Sequence, residues 1–178
     1  PRTINLLVNG LPTGAICPFY SENKERFIKW FEQKIPFVSL TKGIDPETLE
    51  LPDDLFNHYF SNYRENLTYL SGPSFAKEIL DKQVTIVSLA GMAPGVMLEV
   101  AEMLQTDYFK AFRTYDVKGV LLGGALKNIL AIAGGMLEGM GFNHNTRAAM
   151  ITRGITEMLR FGKVFNARPE TFYSFAGM

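Results

Sequence analysis

Lys127 stands in the middle of Asp116–Gly141, DVKGVLLGGALKNILAIAGGMLEGMG, with Gly123, Gly124 and Ala125 before it and Ile129, Leu130, Ala131 and Ile132 after it. Little beside it in the sequence can neutralise its charge. An ammonium taken out of water costs several kcal/mol, and a buried lysine lowers its pKa instead, by up to about 3–5 units when fully desolvated. Brought towards neutrality, a lysine serves as a general acid or base, or as a nucleophile on a carbonyl. Two other readings stay open: a lysine at the surface end of a short helix, and one paired with a carboxylate for structure alone. The surrounding small residues let another segment or a ligand come close. The run of about 22 apolar residues is long enough to cross a bilayer. Lys118, Lys127 and Glu138 bracket and interrupt it, however, and it is rich in glycine, so the membrane reading is set aside.

Two further groups belong to the ends of short apolar segments. Ile35-Pro36-Phe37-Val38-Ser39-Leu40 reads as a strand and runs into Thr41-Lys42-Gly43. Leu67–Leu70 reads as another and runs into Ser71-Gly72-Pro73-Ser74-Phe75-Ala76. In open α/β sheets ligands bind beyond the carboxyl ends of the strands, where Lys42 offers a charge, Ser74 a hydroxyl, and Gly72 close backbone approach. Both ends are expected at one edge of the sheet, with Lys127 above them.

The elements that must position these groups follow from periodicity. Strands are expected at Ile4–Val8, at 35–40, at Leu67–Leu70, at Val84–Leu89 and at Phe109–Tyr115. Between them, the sequence predicts a helix capped by Ser21 and running through Lys34, with Phe27, Trp30 and Phe31 inward. A second starts at Pro52-Asp53-Asp54 with Leu55, Phe56, Tyr59, Phe60 and Tyr63 on one face, and a third spans Pro94–Leu104. Asn9–Gly14 is turn chemistry at a strand end. This alternation implies a largely parallel sheet. Near Asp116 it stops, and only helix signals remain: one helix carrying Lys127, and another over Asn145–Phe161 ended by Gly162, with Arg153 and Glu157 paired outside. The reading is α/β followed by all-α, with residues 1–115 the later half of a Rossmann-type parallel sheet domain and 116–178 the start of an α-helical substrate domain.

Composition narrows the function classes. The chain has 178 residues, 47% hydrophobic and 20% charged, enough to bury a core. Lys+Arg and Asp+Glu are equal at 18 each, which leaves no basic footprint for nucleic acid. A single cysteine, Cys17, excludes an internal disulfide framework and favours a reducing, cytoplasmic setting. His58 and His144 are too far apart for a metal-ligand motif and take solvated or structural roles. No G-x-G-x-x-G turn occurs, although a dinucleotide-binding domain should open with one, so that turn is expected upstream.

Gly123-Gly124-Ala125-Leu126-Lys127-Asn128, Asn145-Thr146-Arg147-Ala148-Ala149, Thr152-Arg153-Gly154, Thr41-Lys42-Gly43 and Ser71–Glu78 together resemble the NAD(P)-dependent glycerol-3-phosphate dehydrogenases. The motifs stand in the family's order and cover the chain strongly from Val38 onward. The resemblance implies hydride transfer between NAD(P)H and dihydroxyacetone phosphate, giving sn-glycerol 3-phosphate for glycerophospholipid synthesis. It implies Lys127 as the catalytic proton donor and acceptor. Lys42, Gly72, Ser74, Lys127 and Asn128 are implied on the substrate, and Lys42 and Ala76 on the cofactor. A homodimer, no membrane span and no metal are the further expectations. Asn143 and His144 depart from the family's glycine and aspartate, which bears on the local turn. The family's Gly-Asp-Leu and Ser-Arg-Asn segments are expected beyond Met178. Two alternatives stand beside this reading: a Schiff-base lysine enzyme acting on a carbonyl phosphate, and a non-catalytic truncated copy that binds partners.

Overall fold

A computed structural model of the chain describes residues 4–177. Five strands form one sheet: β1 (Leu7–Asn9), β2 (Phe37–Ser39), β3 (Leu67–Ser71), β4 (Thr85–Gly91) and β5 (Phe109–Thr114), side by side in chain order. β1, β2 and β3 are parallel, with Ser39 opposite Tyr69, so the carboxyl ends of β2 and β3 share an edge. β4 runs antiparallel to β3, Ser88 opposite Ser71, and β5 runs parallel to β4. The sheet is therefore mostly parallel, with one reversal that strand–helix alternation does not disclose.

That reversal decides where the long helix begins. Because β5 ends at the edge opposite to the ends of β2 and β3, helix α6 (Val117–Gly139) starts at the far edge and rises across the sheet. Lys127 lies about 16 Å along it at roughly 1.5 Å per residue, which returns it to the edge of Lys42 and Ser74. Asp116 fixes the start. Its Oδ1 accepts from Gly119 N (3.0 Å), and its Oδ2 accepts from Arg168 N (2.8 Å) and Thr171 Oγ1 (2.6 Å).

On one face of the sheet α1 (Ile16–Glu22), α2 (Lys24–Glu32) and α3 (Pro52–Phe60) pack with α6. Their core is aromatic: Tyr20, Phe27, Phe31, Phe37, Phe56 and Phe60 are all buried and meet mostly edge to face. Val120, Leu121 and Leu122 of α6 join this same cluster. By length and composition α6 could cross a bilayer. Its residues Gly119–Gly124 are instead buried against protein, while Ile129, Ile132, Met136 and Met140 further along are exposed. α4 (Ala76–Leu80) is a short excursion between β3 and β4 with no buried residue, and on the opposite face of the sheet α5 (Pro94–Leu104) covers Val38 and Leu89 through Val100. α7 (His144–Val164) and α8 (Pro169–Phe172) complete the chain against α6.

Several boundaries differ from the periodicity reading. The stretch 4–6 is not strand, since the ladder starts at Leu7. Ser21 caps nothing: it lies in the last turn of α1, and Asn23 separates α1 from α2. Lys34 falls outside the helix with φ +59°, a left-handed residue after the last turn. Tyr63 sits in a 3-10 segment beyond α3. Gly162 does not end α7; it is buried inside it, where the Phe172 ring packs on its bare Cα, and the helix continues to Val164. The expected Arg153–Glu157 pair forms at 2.6 Å. His58, expected to be solvated, is exposed and paired with Glu50 at 2.9 Å.

Candidate active site

The loop that follows β2 is held from below. Asn9, at the end of β1, donates through Nδ2 to Thr41 Oγ1 (3.3 Å), and Thr41 Oγ1 donates to Leu11 O (2.8 Å). Thr13 Oγ1 donates to the carbonyl of Lys42 itself (3.0 Å). Gly43 closes the turn at φ +117°, where a side chain would be strained and would also press on Thr13 Oγ1. The Lys42 backbone is thus pinned while its side chain projects at the sheet edge.

The turn after β3 is built for closeness. Gly72 is buried, and a Cβ there would stand 2.9 Å from Val87 Cα. Ser74 Oγ donates back to Gly72 O at 3.2 Å, which rounds the turn before α4. Above both loops passes α6, brought close by Gly124, while Gly123 makes room for the segment at Ala176. A Cβ on Gly123 would meet Ala176 O at 2.8 Å, and one on Gly124 would meet Ser71 Oγ at 2.7 Å.

These loops and α6 enclose a cavity of about 390 Å³ lined by Lys42, Gly72, Pro73, Ser74, Phe75, Lys127, Asn128 and Ala131. Of the residues singled out in the sequence, five line it together; Ala76 opens α4 next to Phe75 and is not part of the wall. Periodicity gave no sign of Pro73, Phe75 or Ala131 as lining, although the first two sit inside the motif already noticed. Lys127 also borders a second, apolar groove of about 480 Å³ between α6 and α7, with Leu130, Met150 and Ile155.

Two ammonium groups and no carboxylate line the first cavity. Partial burial, and secondarily the charge of Lys42, lower the Lys127 pKa from 10.5 to about 8. Neither lysine forms a salt bridge among the described residues. An anionic guest would therefore find charge, backbone approach and a hydroxyl, with a lysine able to give or take a proton near neutrality. No group of metal-ligating side chains occurs among the described residues.

The residues present also suit one end of an extended cofactor better than the whole of it. The ends of β1, β2 and β3, with Gly10 and Gly14 facing open space, form a continuous edge beside the exposed Phe75 ring. No glycine-rich pyrophosphate cradle accompanies it in the sequence.

A family model described as NAD-dependent glycerol-3-phosphate dehydrogenase N-terminus matches residues 2–96, and one described as the C-terminus of the same enzyme matches 116–178. A protein of Leptospira biflexa serovar Patoc named glycerol-3-phosphate dehydrogenase, NAD(P)+, is 41% identical over 98% of this chain and 51% of its own length. One of the same name from Geobacter sp. strain M21 is 46% identical over 79% of this chain and 42% of its own. The crystal structure of a Coxiella burnetii glycerol-3-phosphate dehydrogenase superposes with a TM-score of 0.81 at 30% identity, covering 97% of this chain and 50% of that one. The chain spans about half the length of the curated relatives it matches.

Proposed function

Because the chain belongs to the NAD-dependent glycerol-3-phosphate dehydrogenase family, we propose that it serves the interconversion of dihydroxyacetone phosphate and sn-glycerol 3-phosphate with NAD(P)H, as an oxidoreductase of the cytoplasm. The observation that carries this reading is the single cavity around Lys42, Gly72, Ser74, Lys127 and Asn128, cationic and free of carboxylates. A small dianionic ketone suits it.

In the proposed roles, Lys127 is the proton donor and acceptor. As the carbonyl oxygen of the substrate becomes anionic during reduction, an ammonium beside it both stabilises that charge and delivers the proton. In the reverse direction the neutral amine, accessible because of its lowered pKa, takes the hydroxyl proton. Asn128, next along α6, and Ser74, at the turn, orient the substrate by hydrogen bonds; Gly72 lets it approach the backbone. Lys42 spans substrate and cofactor, and Ala76, just past Phe75, lies towards the cofactor side. NAD(P)H, when bound, supplies the hydride. We place the change from sheet to helical substrate unit at 115/116, where Asp116 caps α6.

The lowered pKa of Lys127 would serve a Schiff-base nucleophile as well, but the relatives' names are those of dehydrogenases, which favours the proton-transfer role. The test is a chimaera that carries residues 1–178 within the Leptospira biflexa relative. Lys127→Ala should lower kcat by about 10²–10⁴-fold with cofactor affinity within a few-fold. A rise in KM with kcat intact would overturn the proton-transfer role.

A further inference from the structure

Ser71, the last residue of β3, is 3% exposed, and its Oγ has no hydrogen-bond partner among the described residues. Leaving a buried hydroxyl unpaired costs about 1–3 kcal/mol, so its retention calls for an explanation. One other buried side-chain atom shares this condition among the described residues, the hydroxyl of Tyr69, which is not among the residues lining the cavity.

The surroundings of Ser71 supply the explanation. At Gly124 a Cβ would stand 2.7 Å from Ser71 Oγ and 3.8 Å from Lys42 Cγ. The hydroxyl therefore takes up the space that the missing Gly124 side chain leaves under α6, and the aliphatic stem of Lys42 borders it. The Lys42 backbone is fixed by Thr13, so the side chain is what moves. Nζ lies three bonds beyond Cγ, on a tether free to rotate about its terminal torsions. Lys127 and Asn128 stand one helical turn beyond Gly124, above the same point.

We infer that Ser71 is a positioning residue for Lys42: its hydroxyl accepts a hydrogen bond from the Lys42 ammonium and holds that charge at the β3 end of the cavity, against the anionic group of a bound molecule. The inference rests on the reading of this cavity as an anion site. The buried hydroxyl without a partner becomes satisfied when the lysine is recruited, which offsets the cost of its burial. Gly124 is required for the hydroxyl, since a Cβ there would stand 2.7 Å from it, while the Lys42 stem would remain in ordinary contact.

The experiment uses the 178-residue chain with inorganic phosphate as probe, in a cycle of wild type, Ser71→Ala, Lys42→Met and the double variant. Affinity is followed by NMR titration, stability by thermal melts, and the lysine ammonium by its ¹⁵N–¹H signal. Ser71→Ala should melt at the same or a higher temperature, bind phosphate about 3–10-fold more weakly, and lose the exchange-protected Lys42 ammonium signal seen in the phosphate-loaded wild type. In the Lys42→Met background Ser71→Ala should change affinity no further. An equal loss in that background, or a lowered melting temperature with unchanged affinity, overturns the role of Ser71 and leaves the anion site standing. Failure of the wild type to bind phosphate overturns the anion site itself and this inference with it.

Discussion

Lys127 is charged at neutral pH in a place that disfavours charge. Its folded pKa, about 8, lies below the ordinary 10.5 because burial, and then Lys42, penalise the ammonium. Between those two values the unfolded chain holds a proton that the folded chain has released, so stability rises with pH across that window. Below pH 8 both states are protonated and the full penalty remains. Lys127→Met should accordingly raise the melting temperature at pH 7, by about 2–4 °C once solvent screening of this half-buried group is allowed for, and the gain should shrink towards pH 10. An equal gain at both pH values would show that packing, not charge, is responsible. Lys42→Ala should move the Lys127 titration upwards from about 8, read by ¹³C NMR of labelled lysine. The move should be partial, since burial is the larger cause. A Lys127 midpoint unchanged by Lys42→Ala would separate the two charges and weaken the case for a shared guest.

At the scale of the element, α6 carries two kinds of glycine that look alike in the sequence. Gly124 sits on Ser71 Oγ, whereas a Cβ on Gly135 would meet nothing within 4 Å. Replacing a helical glycine by alanine gains about 1 kcal/mol of propensity. At Gly135 that gain should appear nearly whole as added stability. At Gly124 overpacking of about 1–3 kcal/mol opposes it, and α6 must also lift off β3, so the net should be a loss of stability and of the cavity's shape. Denaturant midpoints of the two variants test this directly, and a stabilised Gly124→Ala would remove the close seam from the argument. The start of α6 has its own test. Asp116 caps the helix and ties it to Arg168 and Thr171, so Asp116→Ala should cost about 2–4 kcal/mol, with Asp116→Asn costing less because one acceptor oxygen survives.

For the whole molecule, the site is assembled from the ends of β2 and β3 and the middle of α6, and no single segment contains it. Its cofactor side is a strand edge without a glycine-rich cradle in the sequence. The 178-residue polypeptide by itself should therefore bind NADH weakly, with a Kd in the millimolar range, because helix-terminus and backbone donors to the pyrophosphate supply much of dinucleotide affinity. Calorimetry decides this; micromolar binding would mean that the edge of β1 to β3 holds the cofactor by other means.

Much of this was legible in the chain alone. The motifs around Lys42, Gly72, Ser74 and Lys127 identified the family and the residues to watch, and the period-2 and period-3.6 patterns located every strand to within a few residues. Local chemistry writes such signals directly: a strand, a turn and an apolar helical face each depend on neighbours in sequence. What the sequence left open depends on neighbours in space. Ser21 looked like a cap and Gly162 like a helix end because both residue types serve those roles; a break at Asn23 and the ring of Phe172 decided otherwise. The antiparallel turn of β4 against β3 leaves no mark in composition, yet it sends α6 from the far edge back over the site. The desolvation that lowers the pKa of Lys127, and the unpaired hydroxyl of Ser71 beneath Gly124, arise only when that helix is laid on the sheet, since burial is a property of packed surfaces and not of residue order.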